Sequence, residues 1–122
     1  IEIKNIDYSY NRNIPNEFNS LTEISSSSSY WIYCGQETNL SISGEKIYQI
    51  ILHLKKGWNM ISCPFIEKIY LSEIMTPEII EIKNIYNSYN YTIPEFSTLK
   101  YLEPFKGYYL KASQDFNLTL FN

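Results

Sequence analysis

The feature that most constrains this chain is a duplication. Ile1-Glu2-Ile3-Lys4-Asn5-Ile6 returns unchanged as Ile80-Glu81-Ile82-Lys83-Asn84-Ile85. The match continues through Ser9-Tyr10-Asn11 with Ser88-Tyr89-Asn90, and Ile14-Pro15 with Ile93-Pro94. After one extra residue in the first copy, Asn16, it resumes at Glu17-Phe18 with Glu95-Phe96 and ends at Asn39-Leu40-Ser41 with Asn117-Leu118-Thr119. In all, 18 of 43 aligned residues are identical. A period near 79 in a chain of 122 residues is read as residues 1–45, the back half of one repeat unit, followed by 46–122, a complete one. A single pseudo-symmetric domain over 1–122 is the alternative. With no initiator Met and no signal-peptide pattern, Ile1 reads as the start of a mature or excised fragment.

Period-2 patterning makes the copies β-structured. Ile1 and Ile3 alternate with Glu2 and Lys4, and Ile80 and Ile82 repeat the pattern. Tyr30 to Cys34 and Tyr108 to Ala112 are aromatic-rich strands, with Leu40/Ile42 and Leu118/Leu120 as the following arms. Ile47 to Leu54 and Trp58 to Cys63 read as strands joined at Lys55-Lys56-Gly57, where glycine lets the chain reverse. At most one short helix is expected, near Leu71-Met75, stopped by Thr76-Pro77. The fold class is therefore all-β: an antiparallel sandwich or small barrel built from a duplicated unit.

Composition narrows the partners. There are nineteen Ile, twelve Tyr and twelve Asn, with no Val and one Ala, a skew that points to a low-GC genome. A net charge of −3 with a single arginine, Arg12, argues against nucleic acid, whose phosphates need clustered cations. No apolar run approaches the ~18 residues of a membrane span, so membrane insertion is not expected. Ser25 to Ser29 align with the turn Glu103-Pro104-Phe105-Lys106-Gly107 and read as an exposed loop, a candidate for phosphate or O-glycan.

Leu54-Lys55-Lys56-Gly57-Trp58-Asn59-Met60-Ile61-Ser62-Cys63-Pro64 resembles the "L-x-x-G-W-N-L-I-S-x-P" opening of a tandem β-rich repeat module. Leu99 to Leu110, with Gly107-Tyr108-Tyr109, is similar to its "P-G-x-G-Y-W" centre, and Tyr30-Trp31 carries that element in the first copy. Such modules occur in large extracellular, cell-surface, S-layer-like and adhesin-like proteins of bacteria and archaea, and in some large viruses. The resemblance implies a non-catalytic structural or adhesive module, no cofactor, and neighbouring repeat modules as partners. Two departures stand out: Ser29 replaces the glycine found at Gly107, and Phe105 replaces another. If Gly107 supplies a positive-φ turn, Ser29 has to manage without it and the copies differ in stability. In each aromatic pair, one ring is expected in the core and the other outside or against a neighbouring module.

Reactive groups are few. Cys34 and Cys63 are the only thiols; they are either a disulfide closing a 29-residue loop, worth ~3.5 kcal/mol in the chain-entropy model, or two buried free thiols. His53 alternates with Leu52 and Leu54 and reads as solvent-facing, and no zinc or calcium spacing is present. Glu17 and Glu95 are the strongest carboxylate candidates, yet they are equivalent members of the duplication. Tyr8, Tyr10, Tyr33, Tyr89 and Tyr91 stand in polar surroundings and are candidates for stacking on surface glycans. Asn39, Asn90 and Asn117 begin N-glycosylation sequons. The expectation is a module of a surface, secreted or virion protein; the alternatives are a carbohydrate-binding module and, more distantly, a hydrolase fragment.

Overall fold

Alternating side chains let a sheet bury one face and leave the other in water, and both copies carry that alternation on the same strands. The computed structural model describes residues 1–121; Asn122, the last residue of the second copy, lies outside them. In the first copy, β1 (Glu2–Lys4), β2 (Ser9–Asn11) and β3 (Trp31–Tyr33) form an antiparallel sheet of order β2-β1-β3. Two strands of the single-copy segment follow, β4 (Gln49–Leu54) and β5 (Gly57–Ser62), and then the short β6 (Ile69–Tyr70). The second copy brings β7 (Ile79–Lys83), β8 (Ser88–Asn90), β9 (Tyr101–Leu102), β10 (Gly107–Ala112) and β11 (Phe116–Phe121). Its main sheet has the order β5-β10-β7-β8, while β4 pairs with β11 and β6 with β9, all antiparallel.

The strands β1, β2 and β3 repeat β7, β8 and β10 in register. Ile3 stands between Tyr10 and Ile32, as Ile82 stands between Tyr89 and Leu110. The turns repeat as well. Asn5 Oδ1 accepts the backbone N–H groups of Asp7 and Tyr8, and Asn84 Oδ1 those of Tyr86 and Asn87. Such Asx turns close the β1–β2 and β7–β8 hairpins without glycine.

The second copy and the single-copy segment make an all-β antiparallel sandwich. The inner face of the main sheet (Ile61, Ile82, Tyr108, Leu110) packs in one cluster with Leu52 and Leu54 of β4 and with Leu118 and Leu120 of β11. Phe65, Ile69, Leu71 and Leu102 fill the rest. No residue before Ile47 belongs to this core.

Three sequence expectations are corrected. Leu40 and Ile42 do not form a hairpin arm; both are exposed, because the first copy has no counterpart of β4 to pair with them. The helical element at Leu71–Glu73 is a single 3-10 turn, and two more occur at the equivalent Asn16–Phe18 and Pro94–Phe96. There Pro15 and Pro94 preset the backbone for a tight turn. The serine run is exposed at Ser25 and Ser26 alone; Ser28 bridges to Ile61 and Ser29 is buried.

Candidate functional site

The most distinctive side-chain arrangement lies on the outer face of the main sheet, where alternation along β5 and β10 points Trp58, Tyr109 and Lys111 away from the core. Trp58 meets Tyr109 edge-on, with ring centroids 6.3 Å apart and an angle of 88°. Lys83 Nζ lies 4.6 Å from the Trp58 ring centre and Lys111 Nζ 5.7 Å, distances at which an ammonium is attracted to the indole π-face. From the first copy, Trp31 Nε1–H donates to Tyr109 Oη at 2.6 Å, with centroids 6.2 Å apart. Trp31 and Tyr109 are repeat equivalents. So are Ser29 and Gly107, and these also meet: a Cβ added to Gly107 would lie 2.8 Å from Ser29 Cβ. The two copies thus touch through matching residues.

Gly107 has an ordinary backbone; its role is this close approach. Positive φ falls instead at Gly57 (95°) and at Phe105 (64°). That corrects the expectation of a positive-φ turn at Gly107. Phe105, 94% exposed, holds the left-handed conformation with a side chain that disfavours it. Asn59 has a role the sequence motif did not disclose. Its Oδ1 accepts Lys55 N–H, and its Nδ2 donates to the carbonyls of Lys55, Gly57 and Leu110. One amide therefore ties the β4–β5 turn to β10.

The paired aromatics divide as their alternation implies. Tyr108 is buried while Tyr109 faces out. Tyr108 Oη accepts Glu103 N–H at 2.8 Å, and its equivalent Tyr30 Oη accepts Ser25 N–H at 2.9 Å. Burial pushes the Tyr108 phenol above its ordinary range, partly offset by the hydrogen bond from the Glu103 backbone.

The candidate glycan-stacking tyrosines do not form one strip. Tyr10 and Tyr33 sit on opposite faces of the first sheet, since Tyr10 shares the Ile3 row and Tyr33 the Glu2 row. Tyr89 packs against the core, and Tyr8 and Tyr91 are exposed on hairpins of different copies. Among the sequons, Asn39 and Asn117 are exposed. Asn90 Oδ1 is engaged with Thr92 N–H and Oγ1–H, as Asn11 Oδ1 is with Asn13 N–H. Asn90 is therefore accounted for by its turn.

The thiols are both free, which removes the disulfide reading. Cys34 is exposed beyond the end of β3, whereas Cys63 is buried in the core. Burial raises the Cys63 thiol, offset in part by a hydrogen bond from the Phe65 backbone. Cys34 is not the buried thiol its apolar strand suggested, because nothing covers that strand in the first copy. His53 is exposed, with Nδ1 2.8 Å from Oδ1 of its cross-strand neighbour Asn117. Glu17 and Glu95 are exposed on equivalent 3-10 turns.

Two hollows open on the surface. One, about 440 Å³, lies on the first sheet among Glu2, Lys4, Trp31, Ile32 and Tyr33. The other, about 420 Å³, lies between the Asn5–Asp7 turn and the β4–β5 hairpin. Their linings hold one carboxylate each, Glu2 and Asp7. The lysines around Trp58 were absent from the sequence reading. Their signal was there: Lys83 and Lys111 occupy outward positions of strands whose inner residues are apolar.

No family model, no curated protein and no solved structure matches this chain.

Proposed function

We propose that the chain is a non-catalytic structural or adhesive repeat module of a larger surface, secreted or virion protein, working through copy-to-copy packing. The observation that carries this reading is the meeting of the copies through equivalent residues, Trp31 on Tyr109 and Ser29 on Gly107. Repetition multiplies length and valency, whereas a catalyst needs one centre. The resemblance of Gly57-Trp58-Asn59 and Gly107-Tyr108-Tyr109 to tandem surface modules supports the same reading. The lone carboxylate in each hollow gives a hydrolase reading little to build on, since glycoside hydrolysis uses a flanking pair. Glycan stacking finds little support at Trp58, whose ring is already attended by Lys83 and Lys111.

The test is concatenation. Concatemers of residues 46–122 in two, three and four copies are expected to lengthen in proportion to copy number by small-angle scattering. Because a contact between equivalent residues closes within a pair, their melting temperature should rise from one unit to two and again from three to four. Units that melt independently, with no preferred spacing between them, would overturn the reading.

A further inference from the structure

We propose that the outer edge of β3, with the hollow beside it, is a docking site for an unengaged strand of the Gly-Trp-Asn type from a sister unit. The tryptophan of that strand seats over Lys4. This inference rests on the repeat reading and names the partner that reading leaves open.

The first argument is continuity with an interface already present. In the second copy, β10 pairs with β7 on one side and with β5 on the other, over six residues from Gly107↔Ser62 to Ala112↔Gly57. In the first copy, β3 pairs with β1 in the same register and forms the edge of its sheet. Its far side corresponds to the place that β5 fills on β10. An edge strand with free N–H and C=O groups is a template for one more strand, and side-chain pockets beside it set which strand is accepted.

The second argument is the hollow itself. Its lining (Glu2, Lys4, Trp31, Ile32 and Tyr33) corresponds position by position to Glu81, Lys83, Tyr109, Leu110 and Lys111. In the second copy, Trp58 of β5 sits among those residues, edge-on to Tyr109 and under Lys83. In the first copy the same place is open, at about 440 Å³, ample for one indole.

The third argument is charge complementarity. Lys4 stands where Lys83 stands, and among the described residues its ammonium meets Glu2 Oε1, an exposed contact at 3.9 Å. An indole face is the complement it lacks. Trp31 and Tyr33 add ring edges on either side, in place of Tyr109 and Lys111. The β5 strand of an intact second copy is excluded as donor, because β10 already holds the edge it would need.

The probe is a synthetic peptide of residues Leu54–Phe65 carrying Cys63→Ser, titrated into the intact chain and followed by amide NMR and hydrogen exchange. Saturable shifts and slowed exchange are expected at Trp31, Ile32 and Tyr33. Trp58→Ala in the peptide should weaken binding by at least about tenfold. Lys4→Met in the chain, an exposed substitution, should weaken it roughly threefold, and Lys83→Met should leave it unchanged. Shifts confined to Gly107–Ala112 would mean exchange with the resident β5 and would overturn the proposal. Equal binding of the Trp58→Ala peptide, or no saturable change at β3, would overturn it as well. If the concatemers couple while the peptide leaves β3 untouched, the docking site fails and the array stands; the reverse pair of results removes the array and keeps the site.

Discussion

The sheet of Glu2–Tyr33 and the sheet of Ile79–Ala112 share strand order, register and turn hydrogen bonds, yet one is a sandwich core and the other is nearly bare. Leu110 is fully buried, whereas its equivalent Ile32 is 50% exposed; Leu120 is fully buried, whereas Ile42 is 68% exposed. The identical parts are those made locally, by Asx turns, 3-10 turns and neighbouring strands. The different parts depend on the segment from β4 to β6, which occurs once and covers the second copy. A meander can therefore be written within about thirty residues, but its core needs a facing layer.

Cutting the same side chain from both copies should break the equivalence most visibly. Leu110→Ala is expected to lower the unfolding free energy by about 2–5 kcal/mol, and Ile32→Ala by less than ~1 kcal/mol, both read from urea unfolding. Similar losses would mean that the first copy is covered after all.

The copy-to-copy contact is sharpened by Gly107→Ala, whose new Cβ would collide with Ser29. A loss of about 1–3 kcal/mol is expected, largely restored by adding Ser29→Gly in a double-mutant cycle. Additive effects would show that the two residues do not press on each other.

Next in size are the corner tyrosines. Tyr108→Phe removes the acceptor of the Glu103 N–H and should cost about 1 kcal/mol, with less for Tyr30→Phe because its hydrogen bond is exposed whereas that of Tyr108 is partly buried. The same site sets a pH dependence. Burial raises both the Tyr108 phenol and the Cys63 thiol in the folded chain. The folded state therefore holds these protons more tightly than the unfolded one. The stability they add is complete below the unfolded thiol and phenol ranges, ~8.5 and ~10. It is lost as pH climbs through the raised folded values. Urea midpoints should accordingly fall above about pH 9, with a shallower fall in Tyr108→Phe; an unchanged slope in that variant would assign the effect elsewhere.

The smallest effect is a gain. Phe105→Gly relieves a left-handed residue that is almost wholly exposed, and should raise stability by about 0.5–1 kcal/mol. The equivalent Ser27 has no positive φ, so Ser27→Gly should gain nothing.

Much of the strand map was legible in the residues. Alternation located the strands at Ile1–Lys4, Ile47–Leu54, Trp58–Cys63 and Tyr108–Ala112 to within a residue or two, because one buried face forces period 2. The same reasoning failed at Leu40, Ile42 and Cys34. It assumed a partner layer for each apolar strand, and the first copy lacks one. The aromatic seam was half legible: Tyr30-Trp31 and Tyr108-Tyr109 were seen as split between two faces. What each outward ring meets was not, since cross-strand and cross-copy neighbours have no fixed spacing in sequence.

Duplication, alternation and turn chemistry were enough to specify an all-β chain with two matching meanders, because those choices are settled among residues a few positions apart. Which meander acquired a core, why Gly107 has no side chain, and where Trp58 finds its lysines were settled by packing. Each depends on surfaces brought together from distant parts of the chain, where burial and close approach outweigh local preference.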